Sequence, residues 1–423
     1  MPRSRVAEGR PVLLRAAEAS SAEASLTYLD WAATTPLCEE AASAMAPYMV
    51  GGVANLAYGG NANSLHSVGR SAFAAMEQAR RDLAGCLGCR PDELVFTSGA
   101  TESNNMAIHG LVEREIERRG KHGFESGSPH VVTCSIEHEA VLEPMHVLER
   151  KGVRVTSLAP DAGGFISPQR LREAMCEDTV LVSVMTANNE IGAVNLVGEL
   201  AAVAHETGAL FHTDATQAFG KIAFSCSESG VDAASFSAHK ICGPKGVGAL
   251  YLRKGLKCPA YMRGGGQESG ARSGTQNVVG MVGFAAAASA LAGNAERLEA
   301  EALRLTELRD DLYSFFRGYS NVQPSVPCDR GSRDYLPNIV HVNIDGLESE
   351  TAILRLDREG ICVSGGSACS SKSLGASRIL TELGVTGDRA MGALRISMGR
   401  YTTAEDIDTF KRAFHRLMEW AGL

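Results

Sequence analysis

The hydrophobic and polar positions of the chain alternate between short apolar runs and longer amphipathic stretches from residue 30 to about residue 255. Several short runs are apolar on both faces, which is typical of parallel strands covered by helices. The alternation of such runs with helical stretches predicts an α/β domain. The predicted strands are residues 179–189, 209–217, 232–240 and 248–254, and the predicted helices are residues 101–120 and 197–208.

The last third of the chain has a different pattern. Residues 278–318 begin with many alanines and continue with charged residues, which favours one long connecting helix or two helices. Strand-like runs follow at NIVHVNID and ALRISMG, and TAEDIDTFKRAFHRLMEWAG has the pattern of an amphipathic helix. This part of the chain therefore predicts a smaller α+β domain.

Composition narrows the class of protein. The chain has 423 residues, of which 44% are hydrophobic, so it can bury a large core. Its net charge of −8 gives no basic surface of the kind that binds nucleic acid. No apolar run approaches the ~20 residues that a membrane span needs. We therefore expect a soluble protein that binds neither nucleic acid nor membrane directly.

The number of cysteines and the composition of residues 1–25 indicate the cellular compartment of the protein. The 11 cysteines are odd in number and their spacing suggests no disulfide framework, which favours a reducing cytoplasm. Cys86 and Cys89 form a C-x-x-C without a second pair or flanking histidines, so we expect no metal site there. Residues 1–25 are predicted to be a disordered tail. An organelle transit peptide is the alternative, against which the acidic residues of this segment count.

The stretch SFSAHKICGPKG, residues 235–246, ends an apolar run on a lysine. A lysine at the mouth of a buried strand is desolvated, which lowers its pKa and disfavours its charge. That placement costs stability unless the amine has a partner or a covalent task. Lys240 is therefore a candidate nucleophile, and a structural lysine at a strand end is the alternative.

Other polar residues follow other predicted strands, and chemistry in an open α/β sheet collects at the carboxyl edge of the strands. FTSGATESNN, residues 96–105, predicts a turn into a helix whose first N–H groups suit a phosphate, or only a capped helix start. Asp214 either caps a helix or holds a cationic ring nitrogen. Taken alone, His138, Asn188 and Asn189 are more typical of structural positions.

Together these features fit pyridoxal 5′-phosphate, which needs a phosphate cradle, a carboxylate for its ring nitrogen, a stacking ring and a desolvated lysine. We expect Lys240 to form an imine with the aldehyde of this cofactor, because burial keeps its amine neutral and nucleophilic. Ser237 and His239 would donate hydrogen bonds to the phosphate. No metal is expected in the site.

At this point the sequence resembles the cysteine desulfurases of the NifS/IscS type, within the class V aminotransferase family. The likeness runs from YLDWAATTP (28–36) to RISMGRYTT (395–403) and includes FTSGATESNN, NNEIG, HTDATQ, SFSAHKICGPKG, GGGQESGARSGT and SGGSACSS. It implies an α/β protein of the fold-type I class of PLP-dependent transferases. A mixed, mostly parallel seven-stranded sheet would form the large domain, residues 40–285. Residues 26–39 and 286–423 would form a smaller α+β domain that carries the loop of the catalytic cysteine.

The resemblance also implies roles for individual residues. Thr275 would cross the interface of a homodimer to the phosphate bound by the partner subunit. Arg395 and Asn189 would bind the substrate, and a planar two-pronged guanidinium suits its α-carboxylate. The cofactor positions implied by the resemblance are Ala100, Thr101, His138, Asn189, Asp214, Gln217, Ser237, His239, Lys240 and Thr275.

By the same resemblance the nucleophile is Cys369, in VSGGSACSSKS, where glycines and serines allow a loop to reach a buried substrate and swing outward. The implied reaction converts L-cysteine to L-alanine. Lys240 removes the Cα proton, His138 shuttles a proton, and the thiolate of Cys369 takes the sulfur as a persulfide. The persulfide would pass to a sulfur-acceptor protein, such as an iron–sulfur scaffold or a tRNA-thiolation carrier.

The sequence departs from the family pattern at several positions. Cys242 replaces an aromatic residue, Ala62 replaces a proline, and Glu139 stands where a non-acidic residue is familiar. The acid after His138 and the ALR of GALRIS look more like selenocysteine lyases, so a selenocysteine lyase of the same fold is the alternative function. A non-catalytic scaffold is a third reading, which the complete set of site residues disfavours.

Overall fold

A seven-stranded sheet lies at the centre of the computed structural model, which describes residues 26–53, 55, 58–120, 123–125, 127–365, 377–385 and 388–423. The strand order is β2-β8-β7-β6-β5-β3-β4, and only β8 runs antiparallel to its neighbours. The predicted fold class, with its mixed and mostly parallel sheet, is therefore confirmed. The strands are β2 (Leu94–Thr97), β3 (His130–Cys134), β4 (Arg154–Leu158), β5 (Thr179–Ser183), β6 (Leu210–Asp214), β7 (Ala233–Ser237) and β8 (Gly248–Leu252).

Helices cover both faces of this sheet, because successive side chains of its inner strands point to opposite sides and both sides are apolar. Val131 and Leu210 pack into a cluster with α3 and α4, whereas Val132 and Phe211 pack into the cluster that includes α2, α6 and α7. The helices of this part are α1 (Glu39–Met45), α2 (Ser67–Leu87), α3 (Ala100–Arg119), α4 (Glu139–Arg150), α5 (Pro168–Ala174), α6 (Val197–Glu206) and α7 (Val278–Ala292).

The region 278–318 forms two helices rather than one. Helix α8 (Ala295–Phe316) begins after Asn294, whose side chain accepts a hydrogen bond from the N–H of Arg297 at 2.8 Å. This cap starts a new helix, and the axes of α7 and α8 differ by 73°. Among the described residues no single helix has the length and apolarity to cross a membrane, and only α7 with α8, as a bent pair, passes that test.

A smaller part of the structure joins both ends of the chain. The strands β9 (Val322–Pro324), β10 (Ile339–Ile344) and β12 (Ala393–Ser397) form an antiparallel sheet, and β1 (Thr27–Tyr28) pairs with β11 (Ile361–Cys362). The domain boundaries given above stay a prediction. The remaining helices are α9 (Ser349–Asp357), α10 (Arg378–Glu382), α11 (Asp388–Met391) and α12 (Ala404–Ala421).

Candidate active site

A cavity of about 480 Å³ opens where β2, β5, β6 and β7 end at their carboxyl edge. Of the predicted site residues, Thr275 is exposed and does not line this cavity, and Cys369 lies outside the described residues. The other predicted site residues all line the cavity. Those that line the cavity are Ala100, Thr101, His138, Asn189, Asp214, Gln217, Ser237, His239, Lys240 and Arg395.

Lys240 ends a short 3₁₀ turn that follows β7. Its Nζ donates hydrogen bonds to the carbonyl oxygens of Ala32 and Ala33, at 2.7 and 2.6 Å. Both carbonyls belong to the segment between β1 and α1, which is tied to the lysine turn where Thr35 N–H donates to the His239 carbonyl at 3.0 Å. The segment between β1 and α1 thus supplies the hydrogen-bond acceptors for the amine of Lys240, which follows a strand of the large sheet.

Asp214 is the last residue of β6, and its buried carboxylate is held from two sides. Asn104, on α3, donates its side-chain N–H to one oxygen at 2.7 Å, and the backbone N–H of Thr216 donates to the other at 3.0 Å. These bonds fix the orientation of the carboxylate at the wall of the cavity. Sequence reasoning missed Asn104, although it stands in the quoted stretch FTSGATESNN.

The start of α3 forms another wall. Its N-cap is Gly99, and no side chain of the described residues caps the first N–H groups of the helix. Gly248, at the start of β8, lets the two backbones approach closely, since a Cβ at Gly248 would lie 2.6 Å from the Cα of Gly99. The close approach therefore sets the free N–H groups of a 20-residue helix beside the cavity, which favours an anion there.

Two histidines of the cavity are uncharged at neutral pH. Burial lowers the pKa of His138, and its Nδ1 accepts a hydrogen bond from the N–H of Ala140 at 3.0 Å, so the ring proton is on Nε2. Burial, with the charges of Lys240, Lys245 and Lys221, lowers the pKa of His239 to about 4.

Arg395, on β12, is buried to 1% exposure. One terminal nitrogen donates to the Asn189 carbonyl at 3.0 Å, and the other forms an ion pair with Asp30 at 2.7 Å. Its Nε has no hydrogen-bond partner among the described residues. Arg395 lines the cavity, and each terminal nitrogen carries a second N–H that can bind an anion there. Sequence reasoning missed Asp30, although the motif YLDWAATTP contains it.

A second group of polar residues lies behind His138. Glu137 is fully buried, and burial raises its pKa well above the usual value, which disfavours the charged form of the carboxyl. Arg378, on α10, donates to the carbonyl oxygens of Ser135 and Glu137, the latter at 2.7 Å, and lies 3.5 Å from the carboxylate of Glu139. The acid that departs from the family pattern thus has a cationic neighbour. No periodicity in the sequence connects these positions.

Known proteins resemble this chain over most of its length. The model of the aminotransferase class-V family matches residues 27–410. A cysteine desulfurase IscS of Dictyoglomus turgidum is 42% identical over 392 residues, which cover 93% of this chain and 94% of that protein. An IscS of Methanosarcina thermophila is 39% identical and covers 92% of this chain and 91% of its own length.

Solved structures give the same result. A NifS-like protein has a TM-score of 0.83 at 36% identity and covers 93% of this chain and 100% of its own. The structure described as SspA in complex with cysteine has a TM-score of 0.74 at 32% identity, covering 89% of this chain and 99% of its own. The fold and the relatives define a class V aminotransferase. Within that family, this chain belongs with the cysteine desulfurases of the NifS/IscS type.

Proposed function

We propose that the protein is a pyridoxal-phosphate-dependent cysteine desulfurase, which takes the sulfur of L-cysteine and leaves L-alanine. One observation carries the proposal. A single cavity is lined by Lys240, Asp214 and Arg395 beside the start of α3, in a chain whose relatives are named cysteine desulfurases. The neighbouring SspA structure, described as a complex with cysteine, supports cysteine as the substrate.

The residues of the cavity fit pyridoxal 5′-phosphate in charge and in hydrogen-bonding capacity. The uncapped start of α3 would hold the phosphate, with Ser237 and His239 nearby in the cavity wall. Asp214 would hold the ring nitrogen, and the amine of Lys240 would hold the aldehyde carbon. A cavity of about 480 Å³ is in the range of cofactor sites. When bound, this cofactor supplies an electron sink that stabilises negative charge at the Cα of an amino acid.

Asp214, Lys240 and His138 would each hold or move a proton in the reaction. Asp214, oriented by Asn104 and Thr216, would keep a proton at the ring nitrogen that it faces. Lys240 would remove the proton from the Cα of cysteine, and His138, with its N–H on Nε2, would stack on the bound ring and donate a proton.

Arg395 would bind the α-carboxylate of cysteine. Asp30 and Asn189 hold two of its nitrogens, which fixes the plane of the guanidinium. Arg395 lines the cavity, and the second N–H of each terminal nitrogen would bind the substrate carboxylate. Because the guanidinium is already oriented, little side-chain entropy is lost on binding.

The sulfur step is assigned to Cys369 by family resemblance. Its thiolate would attack the sulfur of cysteine, so that an S–S bond forms as the Cβ–S bond of the substrate breaks. The Cβ keeps the bonding electrons and takes a proton, which gives the methyl group of alanine and leaves a persulfide on Cys369. We further propose that a sulfur-acceptor protein, such as an iron–sulfur scaffold, receives this persulfide in the cytoplasm. The enzyme would be a homodimer in which Thr275 reaches the partner's phosphate site.

The proposed function is tested by supplying L-cysteine with a reductant and measuring sulfide and alanine. Wild type should produce both in equal amounts, and Lys240→Ala and Cys369→Ser should each lose at least 10²-fold of the rate. Equal sulfide release by wild type and Cys369→Ser would remove Cys369 as the nucleophile. If only L-selenocysteine gave alanine, the protein would instead be a selenocysteine lyase.

A further inference from the structure

A second lysine lies behind the cavity. Lys221 is buried at the end of the turn that follows β6, where Gly220 has φ of +74°. The turn bends back, so that the Nζ of Lys221 donates to both the carbonyl oxygen and the side-chain Oε1 of Gln217, each at 3.0 Å. Lys221 does not line the cavity, whereas Gln217 does.

The charges around Lys221 do not explain its burial. The groups whose charges act on it are Lys240, which repels it, and Cys242, and no described carboxylate pairs with it. Burial and the charge of Lys240 lower the pKa of Lys221 to about 7. Burying an amine beside another cation costs free energy. The hydrogen bonds to Gln217 are the described interactions that offset this cost.

These bonds fix which end of the Gln217 carboxamide faces which neighbour. Lys221 donates to Oε1, and Nε2 donates to the carbonyl oxygen of Ala32 at 2.9 Å. A rotation of the amide by 180° would place its N–H groups against the amine of Lys221 and its oxygen against the carbonyl oxygen of Ala32. The amide nitrogen, which carries a second N–H, therefore belongs to the side of Gln217 away from Lys221.

The same carbonyl connects Gln217 to the candidate nucleophile. The oxygen of Ala32 accepts from Gln217 at 2.9 Å and from the Nζ of Lys240 at 2.7 Å. A continuous hydrogen-bonded series thus runs from Lys221 through Gln217 and Ala32 to Lys240. A change at Lys221 can reach Lys240 by this series and by direct charge repulsion.

We propose that Lys221 is a positioning residue, which holds the Oε1 of Gln217 on the side away from the cavity so that the amide nitrogen is presented to the bound cofactor. This proposal depends on the proposed function. An N–H donor presented to the cofactor favours negative charge on it, and would therefore lower the basicity of the link between the cofactor and Lys240. The charge of Lys221 acts in the same direction. Loss of Lys221 should therefore raise the pH at which the visible absorbance of the bound cofactor is half titrated.

The test compares purified wild-type holoenzyme with Lys221→Met, which has a similar length and no N–H donor. The half-titration pH of the cofactor's absorbance should rise by about one unit in Lys221→Met. Gln217→Leu, which removes the amide itself, should shift it in the same direction. The control is Lys254→Met, which makes the same substitution at an exposed position beyond the end of β8 that lies away from the cavity.

The outcomes separate this proposal from the function on which it depends. A wild type without cofactor absorbance contradicts the proposed function. A wild type that titrates, together with Lys221→Met at the same half-titration pH, contradicts the positioning role and leaves the function standing. Should Lys221→Met fail to fold by circular dichroism, Gln217→Leu decides, because an unshifted titration in that variant also overturns the proposal.

Discussion

Arg395 and Asp30 are 365 positions apart in the sequence, and their side chains form an ion pair of 2.7 Å at the wall of the cavity. The pair joins β12 to the second residue after β1. It can form because β1 and the segment after it lie beside the last strand, where Asp30 bridges to Ser397. The wall of the cavity at Arg395 thus depends on segments that are far apart in the sequence folding together.

The first prediction concerns this ion pair. Arg395→Lys should lower kcat/KM for L-cysteine by about 10²-fold, because an ammonium cannot replace the planar donor that binds Asp30 and a substrate carboxylate at once. The absorbance of the bound cofactor should be unchanged. Steady-state kinetics and a spectrum of each variant check both expectations. An Arg395→Lys enzyme with wild-type kcat/KM would contradict the assignment of Arg395 to the substrate.

The second prediction concerns the carboxylate of Asp214. Asp214→Asn should reduce the rate of alanine formation by at least 10²-fold, because a neutral amide cannot hold a proton at the ring nitrogen by charge. Asn104→Leu should have a smaller effect, of about tenfold, since it removes one hydrogen bond that orients the carboxylate. The rates are measured at saturating cofactor. Equal rates for Asp214→Asn and wild type would exclude the role given to Asp214.

The third prediction separates two contributions of Arg378. Arg378→Met should destabilise the protein by about 1–2 kcal/mol, because it leaves the carbonyls of Ser135 and Glu137 without their donor. Glu139→Gln, the matched control, should cost less than about 0.5 kcal/mol, since its ion pair of 3.5 Å is half exposed. Urea unfolding at one protein concentration measures both. If Glu139→Gln were the more destabilising, the ion pair and not the carbonyl bonds would fix α10.

The fourth prediction concerns acid stability. Burial, and then the charge of Arg395, lower the pKa of His341 to about 3, whereas an unfolded histidine has a pKa of about 6.5. Between these values the unfolded state binds more protons, so stability falls as the pH falls below 6.5. His341→Asn should reduce the slope of unfolding free energy against pH by about 1.4 kcal/mol per unit between pH 6 and 4.

The control for this acid effect is His415→Asn, because His415 is 62% exposed in its side chain. That variant should keep the wild-type slope of unfolding free energy against pH. A wild-type slope in His341→Asn would mean that this histidine is charged in the folded protein.

Much of this fold could be predicted because local patterns specify it. The strands β5, β6, β7 and β8 are buried along their whole length, and each lies within a predicted segment. The helices α3 and α6 begin and end within two residues of their predicted bounds. Periodicity could not show that β8 runs antiparallel to its neighbours, since apolar runs carry no direction.

The site was predictable where polar residues follow strands and much less so elsewhere. Asp214 and Ser237 end their strands and Lys240 ends the short turn after β7, where chemistry is expected in such a sheet. The role of Asp30 depends on a contact with Arg395 across nearly the whole chain, which no local pattern encodes. Lys221 escaped notice because a lysine in a polar turn is usually solvated, and only tertiary packing buries it.

The central claim is that the amine of Lys240 holds pyridoxal phosphate covalently, and borohydride reduction followed by peptide mapping tests it most directly. Reduced holoenzyme should carry the cofactor's mass on the peptide that contains Lys240. Lys221 and Lys245, which lie near the same site, should remain unmodified. A label on either of those lysines, or no label on any peptide, would contradict the account.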